Sequence, residues 1–201
     1  MGRRRGHLLG LAAALGVAAL GVAALGVAGC SAALLQETVA PAEGHAASDR
    51  PIVVPDIPPL HPAVDPLDET VVTISPRAGE ELQVAAKVAV TAAERQRGLM
   101  QVAVLPDGVG MLFVFDEDRT GGFWMRDTLV PLDIAYIASD GTIVTILSME
   151  PCLADDPVDC EVYTPAGPYR TALEVPQGWF ARAGVSEGAE VRWSRPVPAS
   201  R

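Results

Sequence analysis

Three carboxylates hold most of the chemistry this sequence could perform. Two of Asp127, Asp133 and Glu174, if about 5–9 Å apart in a cleft, would form the acid/base pair that cleaves glycosidic bonds. The same residues have a plainer use, with Asp127 bonding backbone amides in a turn and Asp133 capping the approach to a strand. Around them, Gly121–Asp133 (GGFWMRDTLVPLD) sets Trp124, Arg126, Asp127 and Thr128 close together. An aromatic ring beside a planar cation suits stacking on a sugar or an apolar partner. Strand alternation turns one of Trp124 and Met125 inward, so at least one of them belongs to the core. Arg97 is expected behind this cluster, clamping Asp127 or Asp133, because a buried arginine without a partner is costly.

Much else is excluded. The three histidines are His7, His45 and His61, and all precede the region that reads as folded. A domain without histidine has no Ser-His-Asp or Cys-His centre and no imidazole-bearing zinc site. No phosphate loop or dinucleotide fingerprint occurs. Asp116, Glu117 and Asp118 offer oxygen ligands for calcium, but without EF-hand spacing they read as a solvated turn. No cofactor and no metal are expected, and a binding module is favoured over an enzyme.

The elements that must position these residues begin after an export segment. Arg3, Arg4 and Arg5 precede an uncharged run from Leu8 to Gly29, and Val27-Ala28-Gly29-Cys30 closes it. This resembles the lipobox of bacterial lipoproteins, in which the cysteine, here Cys30, is acylated and becomes the N-terminus. An uncleaved membrane helix is the alternative, since 22 residues can span a bilayer. Either way the remainder lies outside the cytoplasm, in the cell envelope. Loss of three arginines with residues 1–29 takes the net charge from −10 to −13. With Lys87 the sole lysine, so acidic a chain is unsuited to nucleic acid. Its ligand is expected to be neutral or cationic, an envelope glycan or another envelope protein. With Cys30 taken, Cys152 and Cys160 remain as a pair, read as a disulfide in an oxidising compartment and alternatively as a redox pair.

Residues 30–69 read as a flexible tether. Pro41, Pro51, Pro55, Pro58, Pro59, Pro62 and Pro66 fall there and forbid helix or ladder. One domain is expected at 70–195, with a disordered tail at 196–201. Val71–Ile74, Leu82–Val90, Val109–Phe115, Phe123–Arg126, Leu132–Ile137, Thr142–Leu147, Tyr169–Val175 and Glu190–Ser194 have strand patterning. Asp140-Gly141 lies in a hairpin turn between two of these runs. Asp116–Gly122 reads as another turn. Thr91 and Glu94 form a capping box opening a helix over Ala92–Met100, and Pro176–Ala183 reads as a second short helix. Strands succeeding one another with only two short helices predict a mainly β, largely antiparallel β-sandwich or partly closed barrel.

The motifs ERQRGLM (Glu94–Met100), GMLFVF (Gly110–Phe115), FWMRDT (Phe123–Thr128) and PLDI (Pro131–Ile134) together resemble the DUF192 family of prokaryotic proteins. Tyr169, Ala172, Leu173, Glu174, Gly184, Val185 and Gly188 continue the likeness, which runs from about Gln83 to Trp193. The family usually has lysine where this chain has Arg126. The resemblance implies a small, mostly β domain, often exported, with no established reaction. The expectation is therefore a lipid-anchored binding or accessory module with Arg97, Trp124, Arg126, Asp127 and Thr128 at its surface. A carboxylate-dependent polysaccharide hydrolase and a purely structural spacer are the alternatives.

Overall fold

The computed structural model describes residues 55–194 and 196. The expected signal segment, Cys30, the tether up to residue 54 and nearly all of the tail lie outside the described residues. In chain order the elements are β1 (Glu69–Ser75), β2 (Leu82–Ala89), α1 (Ala92–Arg97), β3 (Val109–Arg119), β4 (Phe123–Trp124), β5 (Leu132–Ile137) and β6 (Ile143–Met149). A 3-10 turn at Pro157–Asp159 then precedes β7 (Val162–Tyr163), β8 (Tyr169–Pro176), α2 (Trp179–Arg182) and β9 (Glu190–Trp193).

Seven strands form one sheet in the order β6-β5-β8-β3-β2-β1-β9, and β4 with β7 make a small second sheet. Every pair in the large sheet is antiparallel except β2 with β3. That parallel pair needs a long crossover, and α1 with the loop behind it supplies one. The large sheet curls until its edge strands meet, through a Thr142–Glu190 bridge and the Ile143 N–H to Ala189 carbonyl bond. The fold is thus the partly closed barrel, not the sandwich, of the two expected forms.

Alternation along the strands separates two cores. Met111, Phe113, Ile134, Tyr136 and Ala172 face one side, where Leu99, Val102 and Leu105 from the crossover cover them. Leu112, Ala135, Ile137, Leu173 and Val175 face the other, covered by Trp179, Phe180 and Val185. Side chains of successive strand residues point oppositely, so this division follows from the pleat alone.

Three expectations change. The acidic segment read as a turn from Asp116 continues β3 to Arg119, with Asp118 bonded to Arg170 of β8 at 2.8 Å. The first helix ends at Arg97, three residues early, because Gly98 takes φ 49°. Residues 55–68, expected to belong to the tether, are folded onto the domain. Val64 is fully buried, and Ile57, Leu60 and Leu67 pack against the first core. Apolar residues between the prolines supply this contact, which needs no hydrogen-bonded period. Lys87 of β2 is buried and holds the segment down. Its Nζ donates to Glu69 Oε1 at 2.6 Å and to the Asp65 carbonyl at 2.7 Å.

Candidate functional site: a groove across Trp124

The short helix α1 forms one wall of the site. Thr91 Oγ1 accepts the Glu94 N–H at 3.2 Å, and Glu94 Oε2 accepts the Thr91 N–H at 2.8 Å, the reciprocal cap expected from the sequence. Arg95 ties the helix to β3, donating to the Val114 carbonyl at 3.0 Å with its guanidinium 4.7 Å above the Phe115 ring. Below Gly98 an added Cβ would stand 3.5 Å from the Phe113 ring, so helix and sheet approach closely there.

The opposite wall is the turn carrying Trp124. At Gly122 any Cβ would strike the Tyr163 carbonyl, which lets β4 and β7 lie together. Met125 is 1% exposed whereas Trp124 is 36% exposed, the one-in, one-out arrangement that alternation predicts. Arg126 stacks over Trp124 at 5.8 Å and lies 3.5 Å from Asp127 Oδ2. Asp127 itself has φ 53°, and its N–H donates to the Cys152 carbonyl at 2.9 Å. Cys152 is disulfide-bonded to Cys160. The bridge therefore braces the turn that presents Trp124 and Arg126.

Between these walls runs a groove of two lobes meeting at Trp124 and Gln96. One, about 480 Å³, is lined by Arg95, Phe115, Asp118, Arg119 and Tyr169 among others. The other, about 290 Å³, is lined by Arg97, Met100, Arg126 and Asp127. Beneath Trp124 a narrow pit of about 30 Å³ reaches Arg97, Thr128 and Glu174 between Leu99, Phe113 and Phe123. Four arginines line the groove against Asp118 and Asp127, each of which is ion-paired. The local charge is positive although the chain is acidic overall.

Glu174 is the unusual group. It occupies central strand β8, is 4% exposed, and has no side-chain hydrogen bond among the described residues. Burial pushes its carboxyl up to about 8, so it is protonated at neutral pH.

Of the expected site residues, Arg97, Trp124, Arg126, Asp127, Thr128 and Glu174 do come together around the groove and pit. Asp133 does not. It pairs with Val175 across β8, whereas Glu174 pairs with Ile134, so the two carboxylates point to opposite faces of the sheet. Asp133 instead accepts from Ser148 Oγ at 2.7 Å and from the Gly178 N–H at 2.8 Å. The expected clamp from Arg97 to Asp127 or Asp133 does not form either. Arg97 Nη2 lies 3.1 Å from His61 Nδ1, and its Nε is buried without a partner among the described residues.

His61 also overturns the expectation of a histidine-free domain, because the segment carrying it folds back beside the helix. No periodicity in that proline-rich stretch signals the contact. Arg95 and Arg119 were missed as groove residues. The sequence placed Arg119 in a turn, and Arg95 stood on a helix whose docking direction depends on β3.

Residues 73–193 match the profile of the DUF192 family, described as "Uncharacterized ACR". No curated protein matches the chain. Two solved structures are similar. One is a Sinorhizobium meliloti 1021 protein provisionally described as a transcription regulator, 32% identical with a TM-score of 0.56, covering 64% of this chain and 95% of that one. The other is a Novosphingobium aromaticivorans DSM 12444 protein of unknown function, 32% identical with a TM-score of 0.58, covering 70% of this chain and 95% of that one. With more than half its length matched and the partly closed β barrel in place, the chain belongs to the DUF192 family.

Proposed function

We propose that this protein is an exported, lipid-anchored binding module of the cell envelope, acting without catalysis, whose ligand lies in the groove across Trp124. The groove is the observation that carries the reading. A tryptophan ring is left 36% exposed between two lobes, on a turn braced by a disulfide and a two-strand sheet. A framework fixed before the ligand arrives reduces the entropy lost on binding. Export is supported by the Arg3–Arg5 start, the uncharged run behind it and the small residues before Cys30. A disulfide agrees with an oxidising compartment. A two-carboxylate hydrolase lacks this support, since Asp133 faces away and Asp127 is paired with Arg126.

Replacing Trp124→Ala together with Arg126→Ala, then titrating the folded protein against envelope glycans and envelope extracts, tests the site. A loss of about tenfold or more is expected; unchanged binding of every ligand found would remove the groove from consideration. For the anchor, mass spectrometry should find an acylated Cys30, and Cys30→Ala should move the protein to the soluble fraction. Unchanged membrane retention would mean an uncleaved helix.

A further inference from the structure

The pit beneath Trp124 is lined by two polar groups, the Arg97 Nε–H and the Glu174 carboxyl, that have no hydrogen-bond partner among the described residues. Arg97 has a buried Nε–H with no acceptor among the described residues. Leaving such a donor unpaired costs about 1–3 kcal/mol, more when it is charged. Glu174 lines the same pit with its carboxyl also unbonded and 4% exposed. Leu99, Phe113 and Phe123 form the apolar part of the wall, and Thr128 and Gln96 also line the pit without a hydrogen bond to either group among the described residues.

We propose that this pit is a carboxylate-binding site, receiving the acidic head of a ligand whose body lies in the groove. This rests on the binding reading above and names the chemistry of the ligand. A protonated Glu174 offers an O–H donor in the same pit that Arg97 lines. A planar anion with two oxygens accepts both as charge-assisted bonds. An ammonium group would meet the Arg97 charge and find no anion. A neutral amide carbonyl would have to accept from both through one oxygen and without charge assistance. The volume agrees: about 30 Å³ holds about two waters, close to the space of a three-atom carboxylate head and tight for a tetrahedral phosphate. The excess of arginines along the groove, in a chain of net charge −10, draws an anion to this place. Among the described residues, the charged and titratable groups around Glu174 and Arg97 are Arg95 from α1, Tyr136 from β5 and His61, whose Nδ1 lies 3.1 Å from Arg97 Nη2. The β3 neighbours of Glu174, Met111 and Phe113, carry no charge.

The test follows the Arg97 Nε–Hε resonance of the full chain during titration with acetate, D-glucuronate and N-acetylglycine. D-Glucose and the methyl ester of glucuronate serve as uncharged controls. The three acids should give saturable shifts and the controls none. Affinity should fall by about tenfold or more from about pH 6 to about pH 10, as ionised Glu174 comes to repel the ligand. Glu174→Gln should retain binding and lose that pH dependence. Arg97→Lys should weaken binding by about tenfold, because the planar fork is lost while the charge stays. Glucuronate binding above acetate would assign a sugar body, and N-acetylglycine above both a peptide-like one. An ester that binds as well as the acid, or no saturable shift with any acid, would overturn the proposal. The two readings fail separately. Loss of glycan or extract binding in the Trp124/Arg126 variant with no response to carboxylates would retain the groove and reject the pit. Carboxylate binding without any groove ligand affected by that variant would do the reverse.

Discussion

Replacing Glu174 with glutamine should make the fold much less sensitive to rising pH. The residue pairs with Met111 on one neighbouring strand and Ile134 on the other, in the middle of the sheet. Burial raises its carboxyl from 4.5 to about 8. The folded state therefore holds a proton that the unfolded chain releases above about pH 4.5. A raised folded-state pKa gives stability that is complete below the unfolded value and is lost as pH climbs through the folded one. At about 1.4 kcal/mol per unit, on the order of 3 kcal/mol has gone by neutral pH and about 5 by the upper end. Glutamine has the same shape and releases no proton. Urea unfolding of both proteins across about pH 5 to about pH 8 should show their stability difference widening by roughly 3 kcal/mol in favour of Gln. Taking the difference cancels other titrating groups, including Tyr136. A difference that stays constant across this window, with equal m-values, would refute the buried, unpaired state of Glu174 and the pit argument built on it.

Three further outcomes are expected. Replacing both Cys152 and Cys160 with serine should lower stability by about 2–3 kcal/mol, as should reductant on the unmodified protein, because the bridge closes a short loop; calorimetry would read both. Lys87→Met should cost about 3–5 kcal/mol by stranding buried Glu69, and adding Glu69→Gln should restore much of it, measured by denaturant unfolding. Tyr136→Phe should cost about 1–3 kcal/mol and shift the Trp124 indole resonance, since the Tyr136 hydroxyl donates to the Tyr163 carbonyl and accepts from the Phe123 N–H at 3.3 Å.

The elements were readable wherever their cause was local. The capping box of Thr91 and Glu94 needs only residues three apart, and the Asp140-Gly141 turn only its own backbone. The Trp124–Met125 alternation is equally local, and the structure reproduces it. Boundaries slipped where a distant strand intervened. Asp116–Asp118 look like a turn until β8 is placed alongside them and Arg170 answers Asp118.

For the site, residue types alone marked Trp124, Arg126, Asp127, Thr128 and Glu174 as neighbours worth considering, and sequence order put the first four together. Which carboxylates share a cleft was decided by sheet register: Asp133 and Glu174 fall on opposite faces of adjacent strands, and register belongs to the pairing of two segments 41 residues apart. The partner of Arg97 was likewise decided by folding, as residues 55–68 returned across the core and brought His61 to it. Net charge described the whole chain, whereas the groove collects four of its arginines at one place. The sequence by itself determined the strand-rich class, the helix cap, the cysteine parity and the family likeness, because composition, short-range geometry and motif order are properties of the chain alone. Tertiary structure decided which polar groups were left without partners, because burial and hydrogen bonding depend on everything packed around them.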